Sequence, residues 1–179
     1  EWGPVRILER ESGRFEDVSE RAGTLVMSGL WRSVATGDFD RDGDVDFVAG
    51  NLGLNTSYRA STSEPLELLH GTIPSAMPDQ IVEVYREGGR RLPVRGFDEL
   101  SRVVPLLRQR FQNFHFFAVA SIEEILGADV VEGMSSLRAE TLETTVFLND
   151  GNGRFTATPL PRIAQASPAS DVAVADLDG

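Results

Sequence analysis

The sequence predicts a mainly β fold assembled from internal repeats, as in a propeller or a solenoid, with a small α-helical insert. Two hairpin-like segments match each other, at residues 8–15 and 148–155. Two further segments match in the same way, VATGDFD at 34–40 and VAVADLD at 172–178. Each copy is therefore predicted to contain a hairpin, a linker and a strand that runs into acidic residues.

The acidic stretch at residues 38–46, DFDRDGDVD, predicts a metal site. Its first three carboxylates alternate along the chain, and Gly43 permits a sharp bend with positive φ. A hard cation that takes six to eight oxygens from carboxylates, carbonyls and water is calcium. The predicted ligands are the carboxylates of Asp38, Asp40, Asp42 and Asp46 and the backbone carbonyl of Asp44. The alternative, a solvated acidic turn, leaves five acidic groups repelling one another within nine residues.

The loop is not an EF-hand. An EF-hand requires a bidentate glutamate at its twelfth position, and that position holds Ala49. The flanking residues 33–37 and 45–50 are short, rich in β-branched residues and bounded by glycine, which is typical of strands. The carboxylates are therefore expected in a loop between two strands.

Composition narrows the classes of partner. The 179 residues carry a net charge of −11, which disfavours nucleic acid as a ligand. Cysteine is absent, so disulfides and thiol chemistry are excluded. No apolar run approaches the 18 residues expected of a membrane span, and no membrane insertion is expected.

A third, eroded copy of the strand–loop–strand pattern is predicted between strands at 66–70 and 80–85. Aligning Asp79 with Asp46 leaves only one of the four carboxylates in this loop. The other three positions hold Gly71, Ile73 and Ser75. This loop is therefore expected to bind no calcium.

Residues 97–127 change from strand to helix periodicity. Pro105 lacks a backbone donor and is expected to start a second helix at its first turn, not to lie inside a helix. Ser121 and Glu124 have the spacing of a capping box for a third short helix, and Gly127 is a typical stop. An aromatic cluster in this segment predicts either a ligand groove or, as we favour, the core face of the insert: Phe111, Phe114, Phe116 and Phe117.

Extended chain is expected again from Ser135 to Phe147, followed by a turn at 149–153. Asn149 and Asp150 could be metal ligands, but their composition favours a hairpin turn. The sequence stops at Asp176–Gly179, halfway through what resembles a second calcium loop, so we expect a piece of a longer protein.

Taken together, the loop at 37–46, the hairpin at 148–155 and the segment 172–178 resemble FG-GAP/VCBS repeats, the calcium-binding blades of the integrin-α N-terminal type of β-propeller. The combination of GNLGLN at 50–55, the helical insert, PLP at 159–161 and AQASP at 164–168 is similar, more narrowly, to secreted bacterial proteins related to ASPIC/UnbV. The resemblance carries the ligand positions over to the loop at 38–46, and only partially to Asp176 and Asp178.

The resemblance implies a partial β-propeller of two to three FG-GAP/VCBS blades with a small α-helical insert. The expected segments are 1–96 for the first blades, 97–134 for the insert and 135–179 for a further blade, truncated at a second calcium loop. The expected cofactor is calcium, and the expected location is extracellular, at the cell surface or in the periplasm. The expected partners are a protein or glycan ligand and the remaining blades of a parent chain.

Catalysis has little support in the residues. His70 and His115 are far apart, and no nucleophile elbow, phosphate loop or paired metal-binding histidines occur. Glu123 and Glu124 are adjacent on a predicted helix and would diverge. We therefore expect a binding or adhesion scaffold and no enzyme; the alternative is an accessory propeller of a calcium-dependent polysaccharide-active enzyme.

Overall fold

A computed structural model describes residues 1–74, 76, 79–111 and 114–175. The mainly β class predicted from the sequence is confirmed, with 34 % strand against 22 % helix. The strands are β1 (Trp2–Pro4), β2 (Leu8–Glu11), β3 (Arg14–Asp17), β4 (Ser28–Leu30), β5 (Ser33–Gly37), β6 (Asp46–Gly50), β7 (Leu66–Gly71), β8 (Gln80–Glu87), β9 (Arg90–Pro93), β10 (Ser135–Ala139), β11 (Thr145–Asn149) and β12 (Phe155–Pro159). The helices are α1 (Ser19–Ala22), α2 (Phe97–Val103), α3 (Leu107–Arg110), α4 (Phe114–Ala118), α5 (Ile122–Leu126) and α6 (Ala128–Glu132), with 3₁₀ turns at Thr24–Val26 and Arg162–Gln165.

The chain divides into two compact units. The first contains Glu1–Ser57 and the described residues from Ala139 onward, and the second contains Tyr58–Arg138. The helical segment therefore shares a unit with the strands that precede it, β7 to β9, and with most of β10. None of the sheets formed by the described residues closes on itself.

The central sheet of the first unit is antiparallel, in the order β12-β11-β6-β5. It joins two hairpins that are separated in the sequence by residues 51–144. The junction is the pairing of β11 with β6, in which Phe147 lies opposite Phe47 with the rings stacked at 4.5 Å. Burial of Trp31, Phe47 and Phe147 forms the core of this unit.

The two predicted hairpins form, but in different surroundings. β2 and β3 make a separate two-stranded sheet whose residues are all exposed. In β12, by contrast, Phe155 is half-buried and lies 5.0 Å from the Phe47 ring, whereas its counterpart Phe15 is 71 % exposed. The repeat therefore determines the hairpin locally, and pairing with β6 determines whether its aromatic residue is buried.

The second unit contains the antiparallel sheet β10-β7-β8-β9 and the helices α2 to α6. Its core combines Val82 and Val84 of β8 with Leu100, Ile122 and Ile125 of the helices. The predicted helix stops and starts are confirmed around α5, where Ser121 Oγ accepts from the Glu124 amide and Gly127 ends the helix with φ 101°. Pro105 lies outside the helices, two residues before α3 starts at Leu107, so its predicted place in the first turn of that helix is wrong by two residues.

The loop between β7 and β8 differs from the acidic loop in its burial. Ile73 is 2 % exposed and belongs to the core of the second unit. Asp79 is exposed, has φ 58°, and lies 4.0 Å from the His70 imidazole. Ser75 lies outside the described residues, and the absence of calcium from this loop stays a prediction.

Candidate metal centre

The acidic loop joins β5 to β6, as the strand-like flanks predicted. Gly43 has φ 94° at the bend, and an added Cβ there would strain the backbone although it would meet no atom within 4 Å. Arg41, just before the bend, also has a positive φ of 65°. The loop therefore turns back on itself within a few residues, which brings its alternate side chains together.

Asp38, Asp40 and Asp42 each place one carboxylate oxygen within 4.8 Å of the other two. Within the described part of the chain, this is the one group of three or more histidine, aspartate or glutamate side chains arranged in this way. Backbone amides of the loop hold it: Asp38 accepts from the Asp42 amide at 3.2 Å and from the Gly43 amide at 3.1 Å. Three of the five predicted ligand residues are therefore convergent and solvent-exposed.

The charge in this loop is not balanced by the chain itself. Desolvation within the tight loop, together with the neighbouring carboxylates of Asp42 and Asp46, raises the pKa of Asp40 above its ordinary value. No ion pair of the described residues reaches these aspartates; the arginines of the first unit that form ion pairs bind Asp17 and Glu9. A cation supplied from solution would relieve this repulsion.

Asp46 has a position that the sequence did not predict. It is fully buried, and its two oxygens accept from the Phe39 amide and from the Asn149 amide, both at 2.8 Å. Asp46 thus ties the start of the loop to the end of β11. A carboxylate has further lone pairs beyond two accepted bonds, so this structural role is compatible with its predicted contact to a metal.

Asp44 directs its side chain toward the hairpin turn at 149–153. A Cβ built on Gly151, which has φ 76°, would lie 2.7 Å from Asp44 Oδ2. The Asp44 amide donates to Asp42 Oδ1 at 2.9 Å. The predicted contribution of Asp44 is its backbone carbonyl, and nothing in the side-chain placement conflicts with it.

The turn at 149–153 is a hairpin turn, as its composition predicted. Asn149 Oδ1 accepts from the Gly151 and Gly153 amides, and Asp150 Oδ1 accepts from the Asn152 and Arg154 amides. Those amide hydrogen bonds lower the pKa of Asp150. Both side chains are therefore occupied by the turn itself, although Asn149 Nδ2 also donates to the Val45 carbonyl at 3.3 Å.

The donor set fits calcium. The convergent groups are carboxylate oxygens on a loop that already bends through a glycine, and carbonyl oxygens lie in the same nine residues. Hard oxygen donors of this kind suit calcium, whereas zinc sites usually contain histidine or cysteine, and this loop has neither. The exposed side of the triplet leaves room for water ligands. Asp176 and Asp178, the partial second loop, lie outside the described residues.

The other residues with chemical potential are engaged elsewhere. His70 lies on β7 and His115 on α4. Arg91 Nη2 binds Glu123 at 2.6 Å, and Arg90 Nη2 binds Glu124 at 2.9 Å. Glu124 also closes the capping box of α5, so the adjacent glutamates are explained by helix capping and ion pairing.

Sequence reasoning missed the pairing of Asp46 with the Asn149 amide and the burial of Glu67. Neither carried a clear sequence signal. The Asn149 amide reaches Asp46 only through the long-range pairing of β11 with β6, and a glutamate within a strand pattern usually faces solvent.

Comparison with protein-family models, with curated protein sequences and with solved structures gives no significant match. In the part of the chain that the structure describes, no helix combines the length and the apolarity that crossing a membrane requires.

Proposed function

We propose that this chain is a calcium-stabilised segment of an FG-GAP/VCBS-type β-propeller from a secreted or cell-surface protein, where it serves as a binding or adhesion scaffold for a protein or glycan ligand. The observation that carries the proposal is the convergence of Asp38, Asp40 and Asp42 in the loop between two strands of a four-stranded antiparallel sheet. A propeller blade is a four-stranded sheet of this kind.

Calcium would supply charge neutralisation at this loop. Asp38, Asp40 and Asp42 would bind it through carboxylate oxygens, Asp44 through its carbonyl and Asp46 through a remaining lone pair. Asp46 is hydrogen-bonded to the Asn149 amide, so an ion held by the loop would also stabilise the junction between β6 and β11. The role is structural, because it keeps the two hairpins of the sheet in register.

A scaffold role is favoured over catalysis by the state of the acidic groups. Glu123 and Glu124 are bound by arginines, Asp150 by turn amides and the buried Asp46 by two backbone amides. General acid–base catalysis needs a group that is within reach of a substrate and free to exchange a proton. The exposed triplet meets the first condition, but its geometry suits a metal.

The calcium proposal is tested by isothermal titration calorimetry of the whole chain with calcium and with magnesium. We expect calcium binding with a dissociation constant of about 10⁻⁴–10⁻³ M, as in extracellular modules. Asp40→Asn should abolish the heat of binding. Asp44→Asn is the matched control: it removes the same charge from the same loop but keeps the carbonyl, and it should bind calcium.

Equal loss in both variants would show that only the loop's total charge matters, and absence of binding by the unmodified chain would overturn the proposal. The scaffold role is tested separately, by screening the calcium-loaded chain on a glycan array and for polysaccharide degradation. Degradation by the purified chain would support the alternative, a polysaccharide-active enzyme.

A further inference from the structure

The second unit contains an open concavity of about 850 Å³ between the start of β9 and the helices α3 to α5. Its walls combine aromatic, aliphatic and charged side chains. The principal lining residues are Arg90, Arg110, Phe111, Phe116, Val119 and Glu124.

Two apolar residues of this concavity, Phe116 and Val119, do not belong to the core, whereas Phe111 packs against it and Ala120 is part of it. Phe117 is 5 % exposed and packs in the core, but Phe116 is 65 % exposed and Val119 48 %. Nearby Phe114 is 66 % exposed. The predicted core face is therefore confirmed for Phe117 and for the partly buried Phe111, and wrong for Phe114 and Phe116. Contiguous exposed apolar side chains of this kind mark interaction surfaces.

The charged part is positive. Arg90 is bound to Glu124 at 2.9 Å, and Glu124 also accepts from the Ser121 amide. Arg110 donates to the Ile125 carbonyl at 3.3 Å, and its guanidinium lies 5.9 Å from the centre of the Phe111 ring. No carboxylate of the described residues forms an ion pair with Arg110, in contrast to Arg90.

We propose that this concavity binds a carboxylate-bearing peptide segment that inserts an aromatic or aliphatic side chain. The occupant follows from complementarity: a guanidinium held by a ring and a carbonyl is set to take a carboxylate through two parallel hydrogen bonds. Phe116 and Val119 provide the apolar surface for the side chain beside that carboxylate. An acidic ligand is attracted here although the whole chain carries −11.

A peptide fits better than a glycan. A sugar ring presents several hydroxyl groups, and each needs a hydrogen-bond partner when it leaves water. The polar side chains among the described lining residues are two arginines and one glutamate, and the remainder are phenylalanine, valine and alanine. An apolar side chain gives up no hydrogen bonds to water when it binds such a surface.

This inference goes beyond the proposed calcium-stabilised scaffold, because every described lining residue belongs to the unit formed by Tyr58–Arg138. The acidic loop belongs to the other unit. Failure of one proposal therefore leaves the other standing, and calcium titration of an Arg110 variant checks that independence.

The test uses the full chain and a fluorescein-labelled peptide of alternating glutamate and phenylalanine, with binding followed by fluorescence anisotropy. We expect saturable binding, and a loss of affinity of about ten- to a hundredfold in Arg110→Ala, as for a hydrogen bond to a charged group. Phe116→Ala should weaken binding as well. Arg108→Ala, on the same short helix but outside the lining residues, should leave the affinity unchanged.

A second peptide, with glutamine in place of glutamate, should bind at least about tenfold more weakly. The proposal is overturned if the unmodified chain does not bind the acidic peptide, if both peptides bind equally, or if Arg110→Ala binds as well as Arg108→Ala. Tighter binding of polygalacturonate than of the acidic peptide would overturn the choice of a peptide. All three substituted residues are exposed, so unchanged circular dichroism is expected for each variant.

Discussion

The acidic loop at 38–46 and the carboxylate of Glu67 differ in their exposure and in the basic side chains that the protein supplies to balance their negative charge. In the loop, Asp38, Asp40 and Asp42 are exposed and converge without a basic partner among the described residues. Glu67 is 1 % exposed, and its Oε1 lies 2.7 Å from Arg86 Nη2. The second unit therefore carries the cations for its buried acid, whereas the proposed counter-charge of the loop in the first unit is a cation from solution.

If the calcium proposal holds, this difference separates a carboxylate that stabilises the fold from carboxylates that bind a ligand. Arg86 and Arg91 lie directly opposite each other on β8 and β9, an arrangement that is unfavourable for like charges. Glu67, on β7, approaches both of them, with Arg91 Nη1 at 3.6 Å. Glu67 thus stabilises the sheet by neutralising a pair that the strand register forces together.

The largest expected loss of unfolding free energy is that caused by Glu67→Gln. It keeps the shape of the side chain but leaves Arg86 and Arg91 without their shared counter-charge, and breaking a buried ion pair on one side costs about 3–5 kcal/mol. We expect a loss of unfolding free energy toward the lower end of that range, because the two guanidinium groups are 28 % and 24 % exposed. Urea denaturation followed by circular dichroism measures this loss of unfolding free energy, which should be the same with calcium and with chelator.

Arg138→Ala is the control for that variant. Its guanidinium lies 3.9 Å from Glu67 Oε1 but is 59 % exposed, and exposed ion pairs contribute about 0–1 kcal/mol. If Arg138→Ala lost as much unfolding free energy as Glu67→Gln, the stabilisation would come from the exposed pair of Glu67 with Arg138. The contrast between a carboxylate neutralised in the interior and the exposed loop would then not hold.

The next effect concerns calcium and stability. At a calcium concentration about a hundred times the dissociation constant, binding to the folded chain alone adds about 2.7 kcal/mol to the unfolding free energy. The melting temperature should therefore be several degrees higher with calcium than with chelator, and Asp40→Asn should remove the difference. Glu67→Gln should keep it. Scanning calorimetry gives both results, and an unchanged melting temperature on chelation would contradict the prediction.

Local features of this fold were predictable because neighbouring residues determine them. The hairpin turn has positive φ at Ser12 and Gly13, and the capping box at Ser121 has both of its reciprocal bonds. Asp38, Asp40 and Asp42 converge because alternate residues of a tight loop share a side. None of these depends on distant parts of the chain.

Long-range pairing was not predictable in the same way. β11 pairs with β6, which lies far from it in the sequence, and the residues of neither strand identify the other as its partner. The buried role of Asp46 follows from that pairing, because the Asn149 amide arrives with β11. The exposure of Phe116 likewise depends on how the short helices pack, and helical periodicity alone could not reveal it.

Asp46→Asn sharpens the distinction between structural and ligand carboxylates within the loop itself. The amide keeps one acceptor but turns a donor toward the Phe39 or Asn149 amide, and an unsatisfied buried group costs about 1–3 kcal/mol. We expect this loss of unfolding free energy even in chelator, where Asp40→Asn should cost nothing. Equal stability of the two variants in chelator would assign Asp46 to metal binding alone.

The smallest expected effect is the change of stability with pH, which should have opposite signs for Glu124 and for Asp40. The hydrogen bond from the Ser121 amide, and then Arg90, lower the pKa of Glu124, so its folded form binds fewer protons than its unfolded form. The stability that it contributes is present above the ordinary glutamate pKa of 4.5 and is lost as the pH falls toward its lowered value. Asp40 has a raised pKa in the ion-free loop, so its contribution is present below 3.8 and is lost as the pH rises through the raised value.

Carboxyl carbon NMR titrations of Glu124 and Asp40 measure these directions residue by residue. In chelator, we expect the midpoint of Glu124 below its ordinary value and that of Asp40 above it. Calcium requires the deprotonated carboxylate, so it should lower the midpoint of Asp40 and leave Glu124 unchanged. Asp150 is the control in the same unit: turn amides already lower its pKa, and calcium should not move it. An Asp40 midpoint that calcium leaves in place would mean that this carboxylate does not bind the ion, and the loop would then be an acidic turn that tolerates its own repulsion.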